Sequence, residues 1–201
     1  MVVPKFYIAT QNPFKLKVYR GLLAQLDIPR YKVEALSIDT DEVGYSFSEN
    51  AKLKVFDARK HLYSHYGGSG IIIADDAGIA IPALGGYPGV FSKRIGRSME
   101  ERHNNITYAF HSVHPYHYKF WASLCCAIST YNMETQLYSS KYVQKDYIYD
   151  VNRVPEGDSY LGAMELFPDH VSEEDFSLEY SPRSQAFFSA MEKHGYFKRK
   201  T

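Results

Sequence analysis

Cysteine is nearly absent from this 201-residue chain: there are two, Cys125 and Cys126, side by side. Neighbours on a strand point to opposite faces and do not bridge. The sequence therefore offers no disulfide framework and fits a reducing, cytoplasmic setting. Net charge is absent too, with 23 basic against 23 acidic residues. No global field draws in nucleic acid or an anionic membrane, so any anion-binding patch has to be local. No apolar run approaches the roughly 20 residues of a membrane span. The first ten residues, MVVPKFYIAT, lack the basic start and long apolar stretch of a secretory signal. Repeats, low-complexity tracts and linkers are missing as well, and the length suits a single domain over 1–201.

What the chain does have is aromatic residues, 18 Tyr and 12 Phe, which argue for a packed fold with many half-buried rings. Phe6-Tyr7-Ile8-Ala9 reads as a first strand. Asn12 as cap and Pro13 as first residue open a helix to about Leu26, with Phe14, Val18, Leu22 and Leu26 as its buried stripe. Tyr31 to Ser37 is a second strand. Ser46 and Glu49 form a capping box ahead of a helix whose buried stripe is Phe47, Ala51, Val55, Ala58 and Leu62. Ile71-Ile72-Ile73-Ala74 is a buried strand, followed by a turn at Ala77-Gly78 and a second short strand, Ile79-Ala80-Ile81. Ser98 caps a helix from Met99 to about Phe110. Lys119 to Thr130 alternates little and so belongs at the centre of a sheet. Gln136 to Asp150 supplies one or two more strands, and Ser181-Pro182 opens a last helix with Phe187, Ala190 and Met191 inward. The order predicts an α/β fold, a mixed central sheet flanked by helices, with two lobes and a cleft.

The candidate chemistry lies at strand ends and loops, where α/β sheets bind ligands. Asp75 and Asp76 are adjacent carboxylates whose burial requires a cation or hydrogen-bond donors. They point opposite ways if the strand continues through them, so one can reach a site while the other anchors the backbone. A glycine- and proline-rich loop, residues 84–89, delivers Ser92, Lys93 and Arg94, which suit anionic oxygens. Thr10-Gln11-Asn12 before a helix start presents backbone N–H groups to a phosphate, with Lys15 one turn in. The glycine framework of a Walker P-loop is missing. Asn50 and Lys54 lie one turn apart on a single helix face and can act together. Arg183 opposes the macrodipole in the first turn of its helix, a placement that an anionic or polar ligand explains as well as a bare surface position does. His111, His114 and His117 have zinc-like spacing, but Pro115 breaks any helix there, and the run reads as a polar loop.

Four stretches stand together: ATQNPFK at 9–15, EVGYSFSENAKLK at 42–54, ADDAGIAIPALGGYPGVFSKR at 74–94 and SPRSQA at 181–186. With these the chain resembles the inosine triphosphate pyrophosphatase family, house-cleaning enzymes for non-standard purine nucleotides. The resemblance implies hydrolysis of nucleoside triphosphates between the α- and β-phosphates, with Mg²⁺ (or Mn²⁺) as cofactor, and a homodimer. It implies Asp76 as general base or metal-organising carboxylate, Glu42 as metal ligand with Asp75 and Glu49 nearby, and Lys15 and Lys54 as catalytic cations. Thr10, Gln11, Asn12, Lys15, Asn50 and Lys54 would hold the triphosphate. Ala77, Ser92 and Arg94 would line the same pocket, and Arg183 belongs to the base-gripping half.

That half departs from the family pattern. Ala77 replaces a serine, Pro182 replaces the histidine beside Arg183, and residues 159–167 replace a stretch that carries glycines, a tyrosine and an aspartate. A pocket that recognises by hydrogen bonding rejects what cannot satisfy it, so losing those donors changes base choice. The expected function is a triphosphate pyrophosphatase with altered base specificity. The alternatives are a nucleotide-binding or partner-binding protein that has lost catalysis, and a nucleic-acid module stacking bases on the aromatic surface, which the zero net charge disfavours.

Overall fold

A parallel pairing at the centre sets the register of everything near the candidate site. Strand β1 (Lys5–Ala9) pairs on one side with β2 (Lys32–Leu36) and on the other with β3 (Ile71–Ala80), both parallel, with Phe6 opposite Ile71, Tyr7 opposite Ile72 and Ile8 opposite Ile73. The computed structural model describes residues 3–65, 69–153 and 181–197. The remaining elements are α1 (Pro13–Leu23), α2 (Phe47–His65), α3 (Met99–His111), β4 (Lys119–Asn132), β5 (Leu137–Asp150) and α4 (Pro182–Lys193), with short 3-10 turns at Pro82–Leu84 and Gly89–Phe91. The strand order is β2-β1-β3-β4-β5. β4 and β5 are sheet neighbours joined by a turn too short for a crossover, so they run antiparallel. The sheet is mixed and carries helices, as the sequence predicts.

The chain divides into two compact units, one of residues 1–76, 127–142 and 183–201, the other of 77–126 and 143–182. In the first unit the core follows strand alternation. Tyr7, Ala9, Ile72 and Ala74 join Val55, Ala58 and Leu62 of α2, with Leu36, Tyr131 and Met133, in one buried cluster. The intervening residues Phe6, Ile8, Ile71 and Ile73 are as fully buried, as are Tyr19, Leu22 and Leu23 of α1 and Phe187, Ala190 and Met191 of α4. Tyr19 meets Phe187 with ring centroids 5.9 Å apart. Since side chains alternate across a strand, the two sets of β1 and β3 residues face opposite sides of the sheet. In the second unit Phe110 of α3 stacks on Phe120 of β4 at 3.9 Å, and Phe120 on Tyr149 of β5 at 5.0 Å. His103 of α3 is buried there between the Tyr149 hydroxyl and the Val151 carbonyl.

Two expectations need correction. The predicted turn at Ala77-Gly78 is absent: β3 runs unbroken from Ile71 to Ala80, because pairing within a sheet overrides a local turn preference. Ser92 fastens this continuation, its hydroxyl accepting from the Ile79 N–H at 2.9 Å. Helix α1 stops at Leu23, and its buried face is Tyr19, Leu22 and Leu23, while Phe14 and Val18 are only half-buried. A strict four-residue spacing overshoots a 3.6-residue turn, and the true face follows i, i+3, i+4. Of the one or two strands expected between Gln136 and Asp150, the structure forms one, Leu137–Asp150. The rewritten 159–167 stretch lies outside the described residues.

The capping box is present. Ser46 Oγ accepts from the Glu49 N–H at 3.2 Å, and Glu49 Oε2 accepts from the Ser46 N–H at 3.1 Å. Ser46→Ala is expected to lower unfolding free energy by about 1 kcal/mol, read as a lower urea midpoint at unchanged m-value.

Candidate functional site

Continuing β3 past Ala74 carries the alternation into Asp75 and Asp76. Ile72 and Ala74 face α2, so Asp76 does too. Ile71 and Ile73 face the other way, and so does Asp75. Both carboxylates are buried, Asp75 at 2% exposure and Asp76 at 7%. Each therefore needs partners, and the helices on its own side supply them.

Asp76 meets two residues of α2 one turn apart. Asn50 Nδ2 donates to Asp76 Oδ2 at 2.9 Å, and Lys54 Nζ lies 3.4 Å from Asp76 Oδ1. Lys54 also reaches Glu42 Oε1 at 2.7 Å and the Asp75 carbonyl oxygen at 3.2 Å. It thus joins the acidic connection before α2 to the strand. Burial pushes the Lys54 ammonium down, but the charges of Asp76 and Glu42 outweigh it, so Lys54 titrates above its ordinary value and stays charged. Burial dominates at Asp76 and raises its carboxyl above the usual carboxylate value, against the opposing pull of Lys54 and Asn50.

On the opposite face, Asp75 Oδ1 receives Lys15 Nζ of α1 at 2.8 Å and Oδ2 receives Arg183 Nε of α4 at 2.9 Å. Burial pushes Asp75 up as well, but these two cations more than cancel it and hold the carboxyl well below the ordinary range. Arg183 is 1% exposed. Its position against the macrodipole is explained by a protein carboxylate rather than by solvent or an exposed ligand. Lys15, with its side chain 19% exposed, is the more accessible of the two cations.

The segment before α1 is ordered by its own hydrogen bonds. Asn12 Oδ1 caps the helix, accepting from the Phe14 N–H at 2.8 Å and the Lys15 N–H at 3.4 Å, and Thr10 Oγ1 accepts from the Asn12 N–H at 3.1 Å. Gln11 is exposed. No acidic residue occupies the first turn of α1, so its positive end has no neutralising side chain of its own. In the second unit, Ser92 is spent on Ile79 and Gly89 and is buried, which makes it a fastener of the glycine-rich loop. Arg94 is exposed, its guanidinium 5.2 Å from the Phe91 ring centroid, and Ala77 is half-buried on β3.

The structure therefore brings Lys15, Asp75 and Arg183 together on one face of β3 and Glu42, Asn50, Lys54 and Asp76 on the other. It does not bring Asp75 to the Glu42–Asp76 pair: no group of three or more His, Cys, Asp or Glu that could hold a metal assembles among the described residues. Glu49, expected near the metal carboxylates, is taken up by the Tyr45 and Ser46 N–H groups. Two carboxylates still fit Mg²⁺, a hard cation usually held by one or two carboxylates together with substrate phosphates and water. Sequence reasoning missed the Asp75–Arg183 pair. The only signal for it was a cation in the wrong turn of a helix, and the partner lies 108 residues away.

Comparison with known proteins places these features in a family. The model of the Ham1 family matches residues 6–157. A dITP/XTP pyrophosphatase of Exiguobacterium sp. is 38% identical over 107 residues, covering 50% of this chain and 50% of that protein. One of Parasynechococcus marenigrum is 32% identical over 120 residues, covering 60% of this chain and 58% of that protein. The chain spans about half the length of these relatives. Among solved structures, a Ham1 protein from Coxiella burnetii aligns at 27% identity with a TM-score of 0.58, over 77% of this chain and 76% of that one. The Staphylococcus aureus Ham1 protein shares the fold at 23% identity and a TM-score of 0.65, over 95% and 98% of the two chains.

Removing one partner of a buried ion pair strands the other, so Arg183→Met is expected to destabilise the fold by about 3 kcal/mol in urea unfolding. Asp75 has a folded pKa below its unfolded value. Its ionised form therefore stabilises the fold at every pH above about 4, and that contribution is lost as pH falls from there towards the folded value. Asp75→Asn is expected to be less stable at pH 7 and to lose less on acidification, measured as a flatter dependence of Tm on pH below about 5.

Proposed function

The chain belongs to the Ham1 family, and from that premise we propose that it is a nucleoside triphosphate pyrophosphatase, cleaving between the α- and β-phosphates to a monophosphate and pyrophosphate. The observation that carries this reading is Lys54, held between Glu42 and Asp76 at the mouth of a strand whose next-door carboxylate holds Lys15. The names of the relatives, dITP/XTP pyrophosphatases, support the same substrate class.

Three cations (Lys15, Lys54, Arg183) stand against three carboxylates (Glu42, Asp75, Asp76) before substrate enters. A triphosphate adds about four negative charges, and its transfer chemistry is chiefly a matter of positioning and charge neutralisation. Arg183, buried and paired with Asp75, keeps that carboxylate neutralised while Lys15 turns to phosphate oxygens. The start of α1, capped by Asn12 but with no acidic side chain in its first turn, suits the same anion. Asp76 takes a proton from the attacking water. Burial raises its affinity for protons above that of an ordinary carboxylate, which makes it a better base, while Lys54 and Asn50 oppose that rise. Glu42 and Asp76 would hold Mg²⁺, which when bound supplies neutralisation of the phosphate oxygens. Arg183, expected to grip the base, is occupied by Asp75. Ala77 and Pro182 stand where the family has a serine and a histidine, and from these departures we read base choice as altered.

Pyrophosphate release across a panel of deoxy- and ribonucleoside triphosphates, including dITP and XTP, tests this. Turnover is expected with Mg²⁺ or Mn²⁺ and is expected to vanish with EDTA. Silence towards every nucleotide sinks it. Asp76→Asn should lose about 10²–10⁴-fold in kcat while still binding the triphosphate, the loss typical of a removed general base. If the parent binds without turnover and Asp76→Asn changes only affinity, the protein is a nucleotide binder.

A further inference from the structure

Asn50 was expected among the phosphate-holding residues. Its side chain is fully buried, and both ends of its amide are occupied by protein. Oδ1 accepts from the Gly44 N–H at 2.8 Å, and Nδ2 donates to Asp76 Oδ2 at 2.9 Å. The assignment of oxygen and nitrogen follows from chemistry. A backbone N–H can only donate, so the amide atom facing Gly44 is the oxygen, and the NH₂ is left for the carboxylate. Gly44 thereby decides which way Asn50 points, and Asn50 decides how Asp76 is held.

The glycine is needed for the approach. A Cβ at position 44 would lie 2.7 Å from Asn50 Oδ1, 2.7 Å from Glu49 Cβ and 3.1 Å from the Asn50 nitrogen. Any larger residue has to push Asn50 or the first turn of α2 aside. Glu49 Oε2, which accepts from the Tyr45 and Ser46 N–H groups at 2.7 and 3.1 Å, holds the same segment from the other side. Residues 44–46 are thus tied to the start of α2; the bond from Gly44 continues through Asn50 to Asp76, and Glu42 lies two residues upstream of Gly44.

We infer that Asn50, oriented by the Gly44 N–H, is a positioning residue for Asp76 and not a ligand of the substrate. Occupying Oδ2, it leaves Oδ1 as the oxygen turned towards Lys54, and so as the one available to a reacting water. This rests on the pyrophosphatase reading above. It assigns Asn50 to the chemical step and Gly44 to the same relay.

The test separates kcat from KM. An interaction that acts only through the reacting geometry lowers kcat and leaves KM unchanged, whereas a lost phosphate contact raises KM. Asn50→Ala is expected to lower kcat by about 10–100-fold, the order of loss that a misplacement of roughly 1 Å produces, with KM within about twofold of the parent. Gly44→Ala, which keeps every polar group, should show the same pattern. Asn50→Ser stands in for the alanine variant if circular dichroism shows the latter unfolded. Calorimetry with a non-hydrolysable triphosphate analogue should give parent-like affinity for each variant. In an Asp76→Asn background, Asn50→Ala should add no further loss, because the two act as one unit. A raised KM or weakened analogue binding with kcat retained overturns the inference, as does an additive loss in the double variant or parent-like kinetics for Gly44→Ala. Absence of turnover in the parent enzyme is a different failure: it overturns the pyrophosphatase reading, and the role of Asn50 with it.

Discussion

Two neighbouring carboxylates in the interior of one strand impose the central constraint on this molecule. Ionised groups at 2% and 7% exposure are too costly to leave unpaired. Because consecutive strand residues face opposite sides, one helix layer cannot satisfy both. Asp75 takes its cations from α1 and α4, and Asp76 takes its donors from α2. The arrangement of helices around β3 is thus as much an electrostatic requirement as a way to bury apolar faces. It also separates two tasks. The strongly paired Asp75 stays ionised, and the more weakly compensated Asp76 gains proton affinity.

That difference fits a division between support and chemistry. Asp75 has a formal cation on each oxygen. Asp76 has a neutral amide on one oxygen and, on the other, a lysine 3.4 Å away that it shares with Glu42. In the proposed mechanism a base for water has to be a carboxylate that is not too strongly stabilised, and the weaker set of partners suits Asp76 to that role.

The relation of sequence to structure can be followed residue by residue. The capping box Ser46–Glu49 and the stripe Phe47, Ala51, Val55, Ala58, Leu62 were legible because both are local patterns with fixed spacing, and all five stripe residues are buried. The strand Ile71–Ala74 was legible from its β-branched run, but its continuation through Ala77-Gly78 was not, since Gly78 mimics a turn until sheet neighbours and Ser92 hold it extended. Ser92 looked like an anion ligand by composition and proved to be a fastener of the backbone. Arg183 looked suited to a ligand and is the counter-ion of Asp75.

Residue spacing along the chain by itself determined the helices, the opposed directions of Asp75 and Asp76, and the pairing of Asn50 with Lys54 on one face of α2, because those follow from periods of 2 and 3.6 residues. Only the tertiary structure decided who meets whom. Lys15 and Arg183 converge on Asp75 from 60 and 108 residues away, and Asn50 is turned towards Asp76 by a backbone N–H six residues before it. Contacts of that kind depend on how helices settle against a sheet, and no local period in the chain encodes them.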